Sequence, residues 1–532
     1  MKKTRILTML LLLTFIFSII PVSAKDFEVT DIKELRIALK TYYYNKEKIT
    51  AYNSDMLIGY ENESDYDMEM WFSGYDHYSF EALNGYFLTS STYYSSYDDA
   101  KTVSDNLQAL GYPAFPGVKG PAEWYIYMGR YESVDNAQVA LNDINSSMKN
   151  MDFAIIEDLG QLYKMSADGN VLVIVDCEFN KPQFMAVDNN GITNLGDRQY
   201  RGRVEYGIYG NDSISAINII GLEEYLYGVL PSEVYYKWEM EALKAQAVAA
   251  RTYAVYTAFV APKYASEPYD LDDTVYCQVY KGYGIEEERT NQAVTQTLGQ
   301  FILHDNEPIA AFFFSTSGGH TESSENVWVG QFDYLKAVSD IEETEPEKDP
   351  WIKIMTAEEV ESVLVEKGED IGEVLTMEVL SYAESGRAME LLIVGTEGSV
   401  ELTKGQIRWL GLYSTKFTLI TDSQYVPSSS VLGQNGTEQQ NLINNNLQVI
   451  TSDGQTSSLA FTEGQVIVSS AGNLQNYTNV QPSNGTYIFA GMGYGHGVGM
   501  SQAGAQSMAL TGSNYIEILT HYFMDVTIEP LY

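Results

Sequence analysis

Leu222-Glu223-Glu224-Tyr225-Leu226-Tyr227-Gly228-Val229-Leu230-Pro231-Ser232-Glu233-Val234 leads, a few residues later, into an alanine-rich run from Glu239 to about Ala258. The run is helical in pattern. Leu243, Ala247, Ala250 and Ala254 fall on one face at helical spacing, and their small side chains let a neighbouring element approach closely. Pro231 constrains the backbone just before Glu233, which places Glu233 at a loop-to-helix junction, a common position for a reactive side chain. Tyr235, Tyr236 and Trp238 follow. An apolar aromatic wall would disfavour the charged carboxylate and raise its pKa, as a general acid working near neutral pH requires. The opposing reading is a glutamate at a helix N-terminus, stabilised by the helix dipole. The residues leave both open.

Toward the N-terminus, residues 160–220 alternate apolar and polar positions, with turns at Asp168-Gly169 and Asn189-Asn190-Gly191. This predicts a β-meander. Before it, Gly85–Thr89 and Tyr125–Tyr131 read as strands. Each is followed by a helix, the first from Tyr97 through Leu110 and the second opening at Ser133–Ala137. A Ser or Asp before each helix can cap free N–H groups. Two strand–helix units of about 40 residues each predict a small βαβ-βαβ module over residues 79–155. Residues 25–78 read as a short α/β lead-in. The first 24 residues carry Lys2, Lys3 and Arg5, an apolar run from Ile6 to Ile20, and Pro21-Val22-Ser23-Ala24. That is the pattern of a secretory signal peptide cut after Ala24. The expected location is therefore secreted or cell-wall associated, with membrane anchoring if the signal stays uncut.

Toward the C-terminus, Phe314-Ser315-Thr316-Ser317-Gly318-Gly319-His320-Thr321-Glu322 forms a hydroxyl- and glycine-rich loop whose backbone can approach a ligand. It is not a G-x-S-x-G elbow, so Ser315, Ser317, Gly318 and Gly319 read as binding rather than nucleophilic. From Gly491 to Ala505 glycines alternate around His496, which a tight turn would hold beside Ser501 and Gln502. No Gly-Lys-Ser/Thr ending supports a nucleotide loop. Between these motifs, residues 421–487 read as an insertion. They are rich in Asn, Gln, Gly and Thr from Gly433 to Asn446 and regain strand character afterwards.

The chain has 532 residues, too many for one compact core. It carries 72 acidic against 32 basic residues, a formal net charge of -40. A nucleic-acid partner would require a basic surface, so nucleic acid is excluded. The ligand is instead neutral, cationic or held by shape. The 41 tyrosines include rings whose apolar face and polar edge suit sugars. Cys177 and Cys277 could form one bridge at most. The five histidines make no metal-ligand spacing, and no cofactor is expected.

Taken in order, these motifs resemble the stage II sporulation protein D / LytB (amidase enhancer) family. The matching stretches are Tyr200-Arg201-Gly202, Leu222–Glu233, Leu243–Ala254, Thr274–Tyr280, Ser315–Trp328, Ser385-Gly386-Arg387, the segment around Arg408–Leu412, and Gly491–Ala505. The resemblance runs from about residue 165 to the C-terminus and places a SpoIID/LytB-type domain at 160–532. It implies a lytic transglycosylase acting on denuded peptidoglycan strands, with Glu233 catalytic. Arg251 would lie near the site, and Tyr235, Ser315, Ser317, Gly318, Gly319, His496, Ser501 and Gln502 would line it. Val234 stands where the family usually has Met, and Tyr494 where it has Trp. The zinc ligands of some relatives are not evident. The 79–155 module resembles the SPOR domain, which implies binding of the same denuded glycan. The fold class expected is α+β and multidomain. Two further readings stay open. One is a non-catalytic glycan-binding protein that enhances a partner cell-wall amidase or another wall hydrolase. The other is a hydrolase with a second carboxylate at Glu223, Glu239 or Glu322.

Overall fold

The computed structural model describes residues 34–61, 66–148, 151–156, 161–178, 180–210, 212–340, 350–421 and 485–532, and strands at 447–450, 456–459, 465–470 and 473–478. The segment read as a signal peptide lies outside the described residues. The chain is a mixed α+β protein of several sheets. Among the described residues, no helix is long and apolar enough to cross a membrane.

The strand–helix units around residue 100 form a β-α-β-β-α-β arrangement. Strand Tyr86–Ser90 leads to helix α1 (Tyr97–Ala109). Strands Ala114–Gly120 and Glu123–Tyr131 follow, then helix α2 (Val134–Ser147) and strand Phe153–Ile155. In space the strands run 153–155, 86–90, 123–131, 114–120, all antiparallel to their neighbours. This is the ferredoxin-like order, with the last strand beside the first. The helices begin where side-chain oxygens satisfy their free N–H groups. Ser96 accepts from the Asp99 amide and Ser133 from the Asn136 amide. Ala100, Ser104 and Leu107 of α1 are buried at three- and four-residue spacing.

The module is not walled off from its surroundings, which the sequence pattern did not reveal. Its edge strand Ala114–Gly120 pairs in parallel with Asn170–Asp176. Strands Leu162–Ala167, Tyr78–Ala82 and Lys48–Ala51 extend the sheet to eight strands. The residues 160–220 read as one meander therefore divide among three sheets, Thr193–Asn194 and Gln199–Tyr200 pairing only with each other. Leu162–Asp176 belong to the eight-stranded sheet. Gln183–Ala186, Arg203–Ile208 and Ile214–Ile220 belong to a seven-stranded sheet that also takes Leu35–Ala38, Asp55–Glu61 and Tyr66–Ser73. Alternation fixes which face each strand buries but not which partner it finds. The described part of the lead-in is likewise all strand rather than α/β.

Helix α3 (Leu222–Glu233) follows strand Ile214–Ile220. It buries Leu222, Tyr225, Leu226, Val229 and Leu230 on one face. Helix α4 (Met240–Val255) is buried along nearly its whole length, Ala245, Ala247, Ala249 and Ala250 included. Its alanines allow α3, α5 (Glu288–Gln296), α7 (Gln502–Leu510) and α8 (Tyr515–Tyr522) to pack around it. A separate apolar cluster lies under Trp351–Thr356, α6 (Ala357–Glu366) and the strands Val374–Tyr382, Ala388–Gly395 and Ser399–Thr403. Strands Phe417–Thr421 and Thr486–Gly491 pair antiparallel, Phe417 opposite Gly491 and Thr421 opposite Tyr487. The residues between them are thus an excursion from one hairpin. It carries two short hairpins of its own, Leu447–Ile450 with Thr456–Leu459 and Gln465–Ser470 with Asn473–Thr478.

Candidate functional site

Glu233 is the last residue of α3, not the first of α4. The helix ends because Val234 is extended (φ -131°, ψ 154°), a conformation β-branched residues favour. The N-terminal-dipole reading is therefore corrected: the partial negative end of a helix disfavours a carboxylate. The backbone N–H of Val279 donates to Glu233 Oε1 at 2.7 Å, and the Gln502 side chain also hydrogen-bonds the carboxyl group. Burial raises its pKa above the ordinary glutamate value. Those two hydrogen bonds and the Lys281 charge oppose the rise without cancelling it. The carboxyl group is thus biased toward its protonated form and aimed by two fixed donors.

The aromatic surroundings differ from those expected. Tyr235 is 52 % exposed and packs edge-on against Tyr236, with ring centroids 5.0 Å apart. Glu233 is instead backed by Tyr225 and Tyr253, both buried and both sensing its charge. The Tyr225 hydroxyl donates to Gln278 Oε1 at 3.3 Å, and Gln278 Nε2 donates to the Ala250 carbonyl at 3.1 Å. This chain fixes the 278–279 backbone that holds Glu233. Val279, Gln278 and Lys281 had been assigned no role from sequence. They act through backbone placement or long-range charge, which no residue type announces.

Gln502 opens α7, and the Ser501 hydroxyl caps that helix by accepting from the Gly504 amide. Ser315 reaches the same turn through its carbonyl, which accepts from the Ala503 amide at 3.0 Å. The strand pair Phe313–Phe314 with Met500–Ser501 thus joins the Ser/Gly loop to the glycine-rich turn. His496 lies among Phe312, Phe314 and Trp328, with centroids 6.1, 5.5 and 5.1 Å away. Its Nδ1 accepts from the Val498 amide at 3.1 Å. Burial, with Arg408 and Arg387 nearby, lowers its pKa to about 3. The imidazole is neutral and serves the packing of the turn. Ser317 and Gly318 face another junction. The Ser317 carbonyl accepts from Arg387 Nη2 at 3.0 Å, and the Gly318 carbonyl from Lys416 Nζ at 2.7 Å. Gly319 is exposed beside them. Gly497 is required here: φ is +86°, and a Cβ would lie 2.6 Å from the Arg387 guanidinium carbon.

Arg251 does not join the site. It is wholly buried, donating to Glu223 from Nε (2.6 Å) and Nη2 (2.7 Å) and to the Val294 and Gln300 carbonyls. Glu223 begins α3 and Glu233 ends it, so this pair lies about 15 Å from the carboxyl group at 1.5 Å per residue. Of the carboxylates considered as second catalytic groups, Glu223 and Glu322 are occupied elsewhere. Glu223 holds Arg251. Glu322 accepts from the Ser323 amide, the Asn326 side chain and the Ser385 hydroxyl. Glu239 is exposed at the start of α4. Cys177 and Cys277 are both free thiols. Among the described residues no three His, Cys, Asp or Glu side chains converge as a metal site.

One partly buried carboxyl group, held at the meeting of an alanine-rich helix and a glycine-rich turn, defines the class of site. Residues 210–304 match the SpoIID family model, described as stage II sporulation protein. That segment carries Glu233 and the alanine-rich helix, and the chain is similar to proteins named stage II sporulation protein D and amidase enhancer. It is 28 % identical over 413 residues to an uncharacterised protein of Brachyspira hyodysenteriae, covering 77 % of this chain and 88 % of that one. It is 29 % identical over 310 residues to the amidase enhancer of Bacillus subtilis, covering 57 % of this chain and 40 % of that protein. It is 29 % identical over 340 residues to the stage II sporulation protein D of Bacillus amyloliquefaciens, covering 61 % and 79 %.

Proposed function

We propose that this chain is an exported cell-wall enzyme that cuts denuded peptidoglycan strands by lytic transglycosylation, with Glu233 as its acid and base. The observation that carries the reading is the placement of the Glu233 carboxyl group, fixed by the Val279 N–H and by Gln502 in surroundings whose desolvation outweighs those two bonds and raises its pKa. Protonated Glu233 donates to the oxygen between N-acetylmuramic acid and N-acetylglucosamine. Positive charge develops at the muramic anomeric carbon as that bond breaks. The carboxylate then takes the proton of the same sugar's 6-hydroxyl, whose oxygen closes the 1,6-anhydro ring. Because the nucleophile is intramolecular, its positional entropy is already lost. No second carboxylate is needed to hold water or to form a glycosyl-enzyme, consistent with Glu223 and Glu322 being engaged elsewhere. The β-α-β-β-α-β module would hold the same strands and raise their local concentration.

A second reading is favoured by the relative named amidase enhancer: glycan binding that stimulates a partner amidase without cleavage. The experiment is a digest of amidase-stripped glycan strands with the full chain, read by mass spectrometry. Ends lighter than reducing ends by one water support cleavage by transglycosylation. Reducing ends refute it in favour of a hydrolase. Intact strands, with faster stem-peptide removal once an amidase is added, refute it in favour of the enhancer.

A further inference from the structure

An open groove of about 780 Å³ runs beside α5, apart from the Glu233 carboxyl group. Its floor is the Arg201–Glu286 pair, Nε to Oε1 at 2.6 Å and Nη2 to Oε2 at 2.9 Å. The Tyr283 ring lies 4.7 Å from the guanidinium carbon. One wall is a single face of α5, where Glu288, Gln292, Thr295 and Gln296 follow one another at helical spacing. Asn291 donates to Glu286 Oε2 at 3.1 Å, while its own Oδ1 is buried without a hydrogen-bond partner.

This surface has a definite chemistry. Arg201 and Glu286 neutralise each other and Glu288 adds negative charge, so an anion gains nothing there. What remains are amides, a hydroxyl and an aromatic ring, which together suit an uncharged ligand rich in hydroxyl and acetamido groups. A short stretch of chain links the groove to the residues that act on Glu233. Val279 holds the carboxyl group, Lys281 acts on its charge, and Tyr283 lines the groove. Four residues reach at most about 13 Å.

We propose that this groove is a distal saccharide subsite, holding the strand whose glycosidic bond lies at Glu233. The inference rests on the glycan reading above. Thr295 at the groove wall is exposed, so Thr295→Arg blocks the groove without touching the core. Paired Gln292→Ala and Gln296→Ala, also exposed, remove two amides. At about 1 kcal/mol each, their loss lowers kcat/KM on long strands about thirtyfold, mainly through KM.

The direct test is hydrogen–deuterium exchange on the full-length Glu233→Gln chain with amidase-stripped glycan strands as the probe. Slowed exchange across 281–296, abolished by Thr295→Arg, is the expected result. Protection confined to the Glu233 and Val279 segments, with Thr295→Arg cutting strands as the unaltered chain does, overturns the subsite and leaves the enzyme reading intact. Slowed exchange across 281–296, with the unaltered chain cutting no glycan, supports the subsite and refutes the transglycosylase.

Discussion

Replacing Arg251 by methionine keeps most of its volume but removes both hydrogen bonds to Glu223 and the donors to the Val294 and Gln300 carbonyls. Breaking one side of a buried ion pair costs about 3–5 kcal/mol, because the remaining charge is left without its partner. The lower end applies here. The Glu223 side chain is 18 % exposed and keeps the Tyr532 hydroxyl as a donor. A loss of about 3 kcal/mol accelerates exchange of the α4 amides roughly a hundredfold, where exchange occurs by cooperative opening of the α3–α4 pair. The assay is native-state hydrogen exchange, with glycan binding by the folded protein measured in parallel at low temperature. Binding stays within a few-fold of the unaltered chain, since Arg251 is a helix length from Glu233. A Glu223→Gln/Arg251→Met double variant recovers part of the loss, because the orphaned charge is gone. Unchanged α4 exchange together with a tenfold loss of glycan affinity would refute the assignment and return Arg251 to the binding site.

Three other outcomes follow from the same geometry. On the proposed reading Glu233→Gln abolishes glycan cleavage, and on the geometry alone it stabilises the fold at pH 7. The folded pKa of Glu233 is raised, so the ionised form costs stability as pH rises through that pKa. Thermal melts should differ at pH 7 and converge below pH 4.5, and coincident melts at pH 7 would contradict the buried carboxyl group. The pKa of His496 is lowered to about 3 by burial, below its unfolded value of about 6.5. Its contribution is full above that value and lost as pH falls from there toward 3. His496→Gln should flatten that acid limb in urea titrations, and an unflattened limb would count against the neutral imidazole. Gly497→Ala forces a Cβ onto Arg387 at a positive φ and lowers stability by about 1–3 kcal/mol. An unshifted melting midpoint would show that the turn can relax.

The α1 and α2 caps, the alanine-rich helix and the singular position of Glu233 were legible because each depends on a local rule. A serine before a helix finds its amide three residues on, and a run of small residues keeps its face whatever packs on it. Gln502 was found by its place in a motif, and the structure brings its side chain onto Glu233. Val279 and Lys281 were not found. A backbone N–H belongs to every residue, and only the fold of 274–281 aims this one at Oε1. Arg251 was misplaced for a related reason. Motif order puts it near Glu233, but the antiparallel packing of α3 on α4 pairs it with Glu223 at the far end.

By itself, the sequence determined the capped helices α1 and α2, the alanine-rich helix and the strand character of 160–220, that the chain is acidic, and that Glu233 stands apart from its other carboxylates. Those properties come from periodicity, composition and spacing, which are local. The tertiary structure alone decided that the strands of 160–220 divide among three sheets, that Glu233 ends a helix rather than beginning one, and that its partly buried carboxyl group is held by Val279 and Gln502. Strand partners, helix-end environments and desolvation depend on residues far apart in the chain, and only packing brings those together.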